Sequence, residues 1–399
     1  MADGRKRSRA KQARRDARRR KAGRRTAGER EPAEEASLTE EVRQALDGGQ
    51  PLDLLGLVSM MIVATAPQQR HSLQRAPGDR PPGDDDLPDL DELVAAFIEE
   101  PEQETTALLA GLAALLVDDD LLRVRCRRAV DARDDSLPHW LADLSQTTVD
   151  RAVLMTHVLG DGDELLLGVR LADGQELTCA VYIDHLTMSE VKDAFFVPEP
   201  IETVLTVARA SNDDPDTRFV DVALADARTG LQIALDKHLS LFPLEESDTW
   251  PSCRALVQWL ATLMPEGGST FSGPQRDSAI EAELLTRFFA SLVGMAFDDA
   301  DHHELLEQCI AEGTGDPLRW SSARLRQLLS AAVGYDDEIP LETQLDAPDL
   351  LRAFVPFAHA ESGIRQELTV EAVDTIDEVA DRYRAMAREH AQYTGDEDE

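Results

Sequence analysis

The spacing of apolar residues along the chain changes twice, and the changes divide it into three stretches. Up to Leu144 apolar side chains recur every three or four positions, as on one face of a helix. The pattern predicts a short helix after Ser37-Leu38-Thr39-Glu40, which has capping-box spacing, closed by Gly48-Gly49. Helices follow at Pro51–Ala66, Leu90–Glu99, Glu102–Val117, Leu121–Asp131 and Leu137–Leu144. Around Ala152 the pattern becomes extended. Ala152–Leu159, Glu164–Leu171 and Glu176–Ile183 are Leu-rich or β-branched runs separated by Asp161-Gly162 and Asp173-Gly174. Asp-Gly between such runs signals a hairpin, so a three-stranded antiparallel meander is predicted, with Ala194–Val197 as a fourth strand.

After Pro200 the helical period returns. Helices are expected at Ile201–Ala210, Val220–His238, Ser252–Leu263, Ser278–Phe297, His302–Ala311, Ser321–Val333, Ala347–His359 and Val370–His390. Gly230 is a point where the second of these can divide. The fold class read from this pattern is α+β, mainly helical, with a small antiparallel three- to four-stranded meander in the middle. The organisation reads as a basic tail and acidic linker over 1–36, a helical region over 37–150, the meander over 151–199, a second helical region over 200–392 and an acidic end at 393–399. Within the first helical region, residues 67–88 are rich in Pro and Gly and carry the acidic run Asp84–Asp86, which predicts a flexible loop.

The most apolar run, Leu52–Ala66, contains Asp53 and stops at Pro67. Fifteen helical residues rise roughly 22 Å, short of the ~30 Å hydrocarbon core of a bilayer. It reads as a buried core helix, and no membrane association is expected. The basic start of the chain lacks the apolar stretch that a secretory signal needs. The four cysteines, Cys126, Cys179, Cys253 and Cys309, are far apart and form no CxxC pair. A structural zinc is therefore not expected, and the cysteine usage fits reduced thiols in a cytoplasm.

Charge alters this picture most. The 399 residues hold 77 Asp+Glu against 41 Lys+Arg, a formal net charge of −36. The first 25 residues run the other way, with Arg5, Lys6, Arg7, Arg9, Lys11, Arg14, Arg15, Arg18, Arg19, Arg20, Lys21, Arg24 and Arg25 against only Asp3 and Asp16. That segment carries +11 and the remainder −47. It has no apolar face to bury, so disorder is expected there. Dense Arg and Lys bind phosphates by releasing condensed counterions, and Arg pairs with phosphate oxygens in bidentate fashion. With no aromatic among these residues, base stacking and sequence reading are not expected. The candidate nucleic-acid-binding residues are these thirteen cations, with RNA or the ribosome as the expected contact. A segment that folds back on the acidic body, or one that only solubilises, is the other reading of the same charges.

Two further clusters can be read as chemistry. Asp298-Asp299-Ala300-Asp301-His302-His303-Glu304 brings metal-ligand residue types together. Asp301 followed by Glu304 is also a capping pattern, and that reading is preferred. Asp184-His185, at the end of the third strand with Lys192 and Asp193 close by, can do general acid/base work if a cleft encloses it. The plainer reading is a turn followed by a capping box at Thr187-Met188-Ser189-Glu190. Trp250 and Trp320 read as packed anchors. Gly267-Gly268-Ser269-Thr270 lacks the Lys of a phosphate loop, and GxSxG, HExxH and GxGxxG are absent.

The strings Thr156-His157-Val158-Leu159-Gly160-Asp161-Gly162-Asp163, Val181-Tyr182-Ile183-Asp184-His185, Glu246-Ser247-Asp248-Thr249-Trp250-Pro251 and Asp316-Pro317-Leu318-Arg319-Trp320-Ser321 occur in this order. Together they resemble an uncharacterised actinobacterial family of unknown function, over about residues 37–390. The resemblance implies a bacterial cytoplasmic protein and brings no activity, cofactor or catalytic residue. The sequence thus favours a non-enzymatic binding or adaptor protein. Its Arg-rich segment contacts RNA or a nucleoprotein, its acidic body holds a protein partner, and no cofactor or metal is expected. The alternative is an enzyme with a site near Asp184/His185.

Overall fold

The computed structural model describes residues 38–65, 89–237, 247, 249–271, 278–330 and 339–397. The basic segment 5–25 and the Pro/Gly-rich stretch 67–88 lie outside the described residues. The fold is α+β and mainly helical, with one antiparallel sheet. The chain forms two compact units, one spanning Leu38–Gln275 and the other containing Arg276–Glu399. The helices that follow residue 200 are therefore shared between two bodies.

The first unit opens with helices α1 (Leu38–Gly48), α2 (Pro51–Thr65), α3 (Leu90–Glu99), α4 (Gln103–Leu115), α5 (Asp120–Asp131) and the short α6 (His139–Ala142). Asp89 and Glu92 form a reciprocal capping box at the start of α3. Helix α4 is buried along most of its length, including Leu108, Leu109, Leu112 and Leu115. Each such leucine contributes roughly 1.5–3 kcal/mol through removal from water. No helix among the described residues is long and apolar enough to cross a membrane.

Five strands follow: β1 (Thr148–His157), β2 (Gly162–Arg170), β3 (Glu176–Asp184), β4 (Glu190–Val197) and, after helix α7 (Ile201–Ala210), β5 (Thr217–Val222). Their order is β4-β3-β2-β1-β5, with antiparallel pairing throughout. Helices α8 (Leu224–Asp236) and α9 (Trp250–Leu263) complete the unit. On one sheet face Leu154, Leu165, Leu167, Cys179 and Val181 join the main core with Trp250, Leu256 and Leu260 of α9. On the other, Val153, Leu166 and Ala180 pack beneath Ile201 and Leu205 of α7. Because both faces are covered, Leu165–Val169 reads as an unbroken apolar run rather than an alternating one.

The expected meander is present, with corrections. The fourth strand is eight residues long, and β5 adds a fifth strand where a helix from Val220 is expected. Alternation in Thr217–Val222 is masked in sequence by the helix that begins two residues later. The first hairpin reverses at Gly160, φ 68°, and Gly162 lies inside β2. Helix α8 is not divided at Gly230. The ring of Phe271 packs so closely there that a Cβ would fall 2.2 Å from it.

Ser59 joins α2 to α9. Its hydroxyl is buried, accepts the N–H of Ala255 at 3.2 Å and lies 3.5 Å from the carbonyl oxygen of Pro251. The second unit holds α10 (Ser278–Phe289), α11 (Ala300–Ala311), α12 (Ser322–Ser330), α13 (Leu341–Leu345), α14 (Ala347–Ser362) and α15 (Gln366–Glu397). Phe288, Trp320 and Phe354 meet edge to face at its centre.

Candidate functional site

The Asp184-His185 pair ends β3, and the two side chains diverge. Asp184 Oδ1 accepts the N–H of Leu186 and Oδ2 takes Lys192 Nζ at 2.6 Å. That carboxylate holds a turn and an ion pair and does not address the neighbouring imidazole. The partner of His185 is Asp163, at the start of β2, with Nε2 and Oδ2 2.9 Å apart. The hairpin register makes this possible, since Gly162 stands opposite Asp184 and Asp163 opposite Ile183. On its other side, His185 Nδ1 lies 2.9 Å from Ser189 Oγ.

No helix follows residue 187, so the expected capping box at Thr187–Glu190 does not exist. Glu190 instead begins β4. Between the two strands, a 3-10 turn over His185–Thr187 leads into Met188 and Ser189, both at φ 60°. Two consecutive side-chain-bearing residues in the left-handed region cost about 1–3 kcal/mol each, and persist only where surrounding contacts hold them. Here they close a short connection and turn the Ser189 hydroxyl back onto His185.

The side chains of His185 and Asp163 are each only 3% exposed, while Ser189 is half-buried. Asp163 Oδ1 is buried with no hydrogen-bond partner among the described residues, so the charge of that carboxylate is answered mainly through Oδ2. An anionic oxygen beside Nε2 places the ring proton on Nε2. Nδ1 is then left with a lone pair, and the Ser189 O–H donates to it. Tyr182 lies alongside, where a Cβ on Gly162 would fall 2.5 Å from its Oη. Burial, followed by the nearby Asp184 and Asp161, pushes the Tyr182 hydroxyl well above its usual range, so it stays protonated.

The other candidates resolve differently. Asp299, two residues before the expected cap, is the N-cap of α11 and accepts the His302 N–H at 3.1 Å. His302 Nδ1 meets Asp299 Oδ2, whereas His303 stacks on Phe289 at 3.6 Å and reaches Asp298. The two histidines point apart, and this is a helix start rather than a ligand set. A second cluster, His157 with Asp214 and Asp216, has side-chain ligand atoms all within 4.8 Å of one another. However, His157 Nδ1 accepts the N–H of Leu159 at 3.2 Å, which leaves the proton on Nε2, the nitrogen that faces Asp214. A protonated Nε2 cannot ligate a metal.

Trp250 and Trp320 are buried anchors, as expected. Ser269 N–H and Oγ both bind Asp226, so the Gly267–Thr270 turn closes onto α8. A cavity of about 290 Å³ opens between the strands and the start of α7, lined by Asp150, Arg151, Arg170, Glu176 and Glu202 among others. Its arginines are tied to its own carboxylates, and neither Asp184 nor His185 lines it. Sequence reasoning located His185 but missed Asp163 and Ser189. Only the hairpin register and the left-handed turn bring those two to it.

Comparison with known protein families, with curated proteins and with solved structures finds no match to the chain.

Proposed function

We propose that the chain is a cytoplasmic binding or adaptor protein whose Arg-rich segment, residues 5–25, contacts RNA or a nucleoprotein. Its acidic body holds a protein partner in this reading. The observation that carries it is the way the body spends its cations. Arg43, Arg151, Arg170, Arg228, Arg352 and Arg384 each bind carboxylates of the body itself. On α5, which carries four arginines, Arg123 and Arg125 are held by Asp120 and Asp91, while Arg127 and Arg128 are exposed. The highest density of cations in the sequence is at 5–25, where thirteen of twenty-one residues are Arg or Lys. The remaining −47 repels nucleic acid from the rest of the surface. All four cysteines are buried free thiols, as suits a reducing compartment.

The test is binding to single-stranded RNA by the full chain and by the chain lacking residues 1–25, over a salt series. If six to ten of the cations engage phosphate, affinity falls by about two to five decades between 50 and 200 mM salt and is absent without the segment. Absence of binding at low salt overturns the reading and favours a segment that folds onto the acidic body.

A further inference from the structure

We propose that Ser189 is a nucleophile activated by His185 and Asp163, and that the site hydrolyses carboxylic esters through an acyl–Ser189 intermediate. The activity lies in the Leu38–Gln275 unit and is independent of the basic segment, so either can fail without the other.

Three observations meet at this point. The first is a continuous hydrogen-bonded line, Ser189 Oγ to His185 Nδ1 at 2.9 Å and His185 Nε2 to Asp163 Oδ2 at 2.9 Å. Second, the depth of burial is graded: carboxylate and imidazole are sealed while the serine is half-buried, so the reactive end faces outward. Third, Met188 and Ser189 are both left-handed, which fixes where the hydroxyl points. A hydroxyl needs a neighbouring base to attack at neutral pH, and a base needs a third group to fix its tautomer. Asp163 holds the proton on Nε2, and Nδ1 receives the serine proton. Met188, the residue before Ser189, is 66% exposed, so the turn that carries the hydroxyl lies open to solvent.

In the first half-reaction Ser189 Oγ bonds to the ester carbonyl carbon while its proton passes to His185 Nδ1. The carbonyl–alkoxide bond then breaks, and the departing alkoxide takes that proton and leaves as the alcohol. In the second half, His185 Nδ1 takes a proton from water as the water oxygen attacks the acyl carbon. The acyl–Ser189 bond breaks, the proton returns to Oγ, and the carboxylic acid leaves. No oxidant or reductant is involved.

The experiment treats the full chain with a fluorophosphonate, maps the adduct by peptide mass, and follows p-nitrophenyl acetate hydrolysis in parallel. The expected result is an adduct on Ser189 that disappears in Ser189→Ala and forms at least tenfold more slowly in His185→Gln and Asp163→Asn. An unmodified Ser189 in the folded protein, or an adduct rate unchanged in a folded His185→Gln, overturns the proposal. Because His185 is buried, Ser189→Cys supplies a measurement that leaves the base in place. The native cysteines are buried, and burial pushes Cys126 and Cys253 up to about 11, so iodoacetamide reports the introduced thiol against a quiet background. A thiol activated by His185 alkylates readily at pH 6–7. A profile rising only around pH 8.5, as for a free cysteine, overturns the proposal as well.

Discussion

The guanidinium of Arg324 lies 3.9 Å from the centroid of the Trp320 ring, and both side chains are sealed from solvent. The Arg324 N–H groups donate to the carbonyls of Ile310 and Glu312 at the end of α11, and to those of Asp316 and Arg319 in the turn before α12. One planar cation thus collects the orphan acceptors where a helix stops and the chain reverses. Arg324→Met removes the donors and leaves buried carbonyls without hydrogen, at a cost of about 3–5 kcal/mol. Arg324→Lys keeps the charge but not the fork, and is expected to fail nearly as badly. Urea unfolding followed by fluorescence and by circular dichroism measures both.

His359 is fully buried between Trp320 and Thr369. Burial disfavours the imidazolium and pulls its pKa down to about 4 from the usual 6.5. Nε2 accepts the Trp320 N–H, and the proton sits on Nδ1 toward Thr369 Oγ1. A depressed folded-state value means the contribution is fully present above about pH 6.5 and lost as pH falls toward 4, amounting to roughly 2–3 kcal/mol. His359→Gln keeps an acceptor for Trp320 and a donor for Thr369 without titrating. Between pH 7 and pH 4 its denaturation midpoint should therefore fall less than that of the natural chain. Parallel curves for the two proteins would contradict the assignment.

The cap of α11 is Asp299 and not Asp301, the aspartate that the sequence pattern favours. Asp299→Ala removes the side-chain acceptor of the His302 N–H and is expected to cost about 1 kcal/mol. Asp301→Ala, within the first turn, removes only a charge near the helix start and should stay within about 0.5 kcal/mol. Thermal melts of the two variants decide which aspartate is the cap.

Helix period and hairpin chemistry were legible wherever one local rule acted alone. Ile201–Ala210 appears with the boundaries its apolar spacing predicts, and Asp173-Gly174 marks the second hairpin. Legibility failed where a long-range partner decided. Val220–Val222 has β-branched residues that fit strand or helix, and pairing with Ala152–Leu154 made it strand. Likewise, Asp184 beside His185 in sequence was the natural partner to expect. Asp184 is taken by the Leu186 N–H and Lys192, and His185, in the turn after β3, meets Asp163 on the neighbouring strand instead.

Gly268 offers the sharpest test of the packing around the Gly267–Thr270 turn. A Cβ at that position would lie 2.2 Å from the backbone carbon and oxygen of Ala225, atoms that cannot rotate away as a flexible side chain can. The close approach lets Ser269 N–H and Oγ reach Asp226 Oδ1 at 2.7 and 3.1 Å, and Thr229 Oγ1 reach the Gly268 carbonyl at 3.2 Å. Gly268→Ala must lift the turn from α8, and is expected to cost about 1–3 kcal/mol. Ser269→Ala removes one hydroxyl contact while the backbone bond remains, and should cost about 0.5–1.5 kcal/mol. Gly267, at φ +83° with open space around its Cβ position, adds a contrast. Alanine there is penalised by backbone conformation, about 1–2 kcal/mol, without disturbing the contacts of Ser269. Hydrogen exchange at the Ser269 amide distinguishes the two glycine variants. It should lose protection in Gly268→Ala and keep it in Gly267→Ala, whereas equal loss in both would mean that backbone freedom, and not close packing, sets the turn.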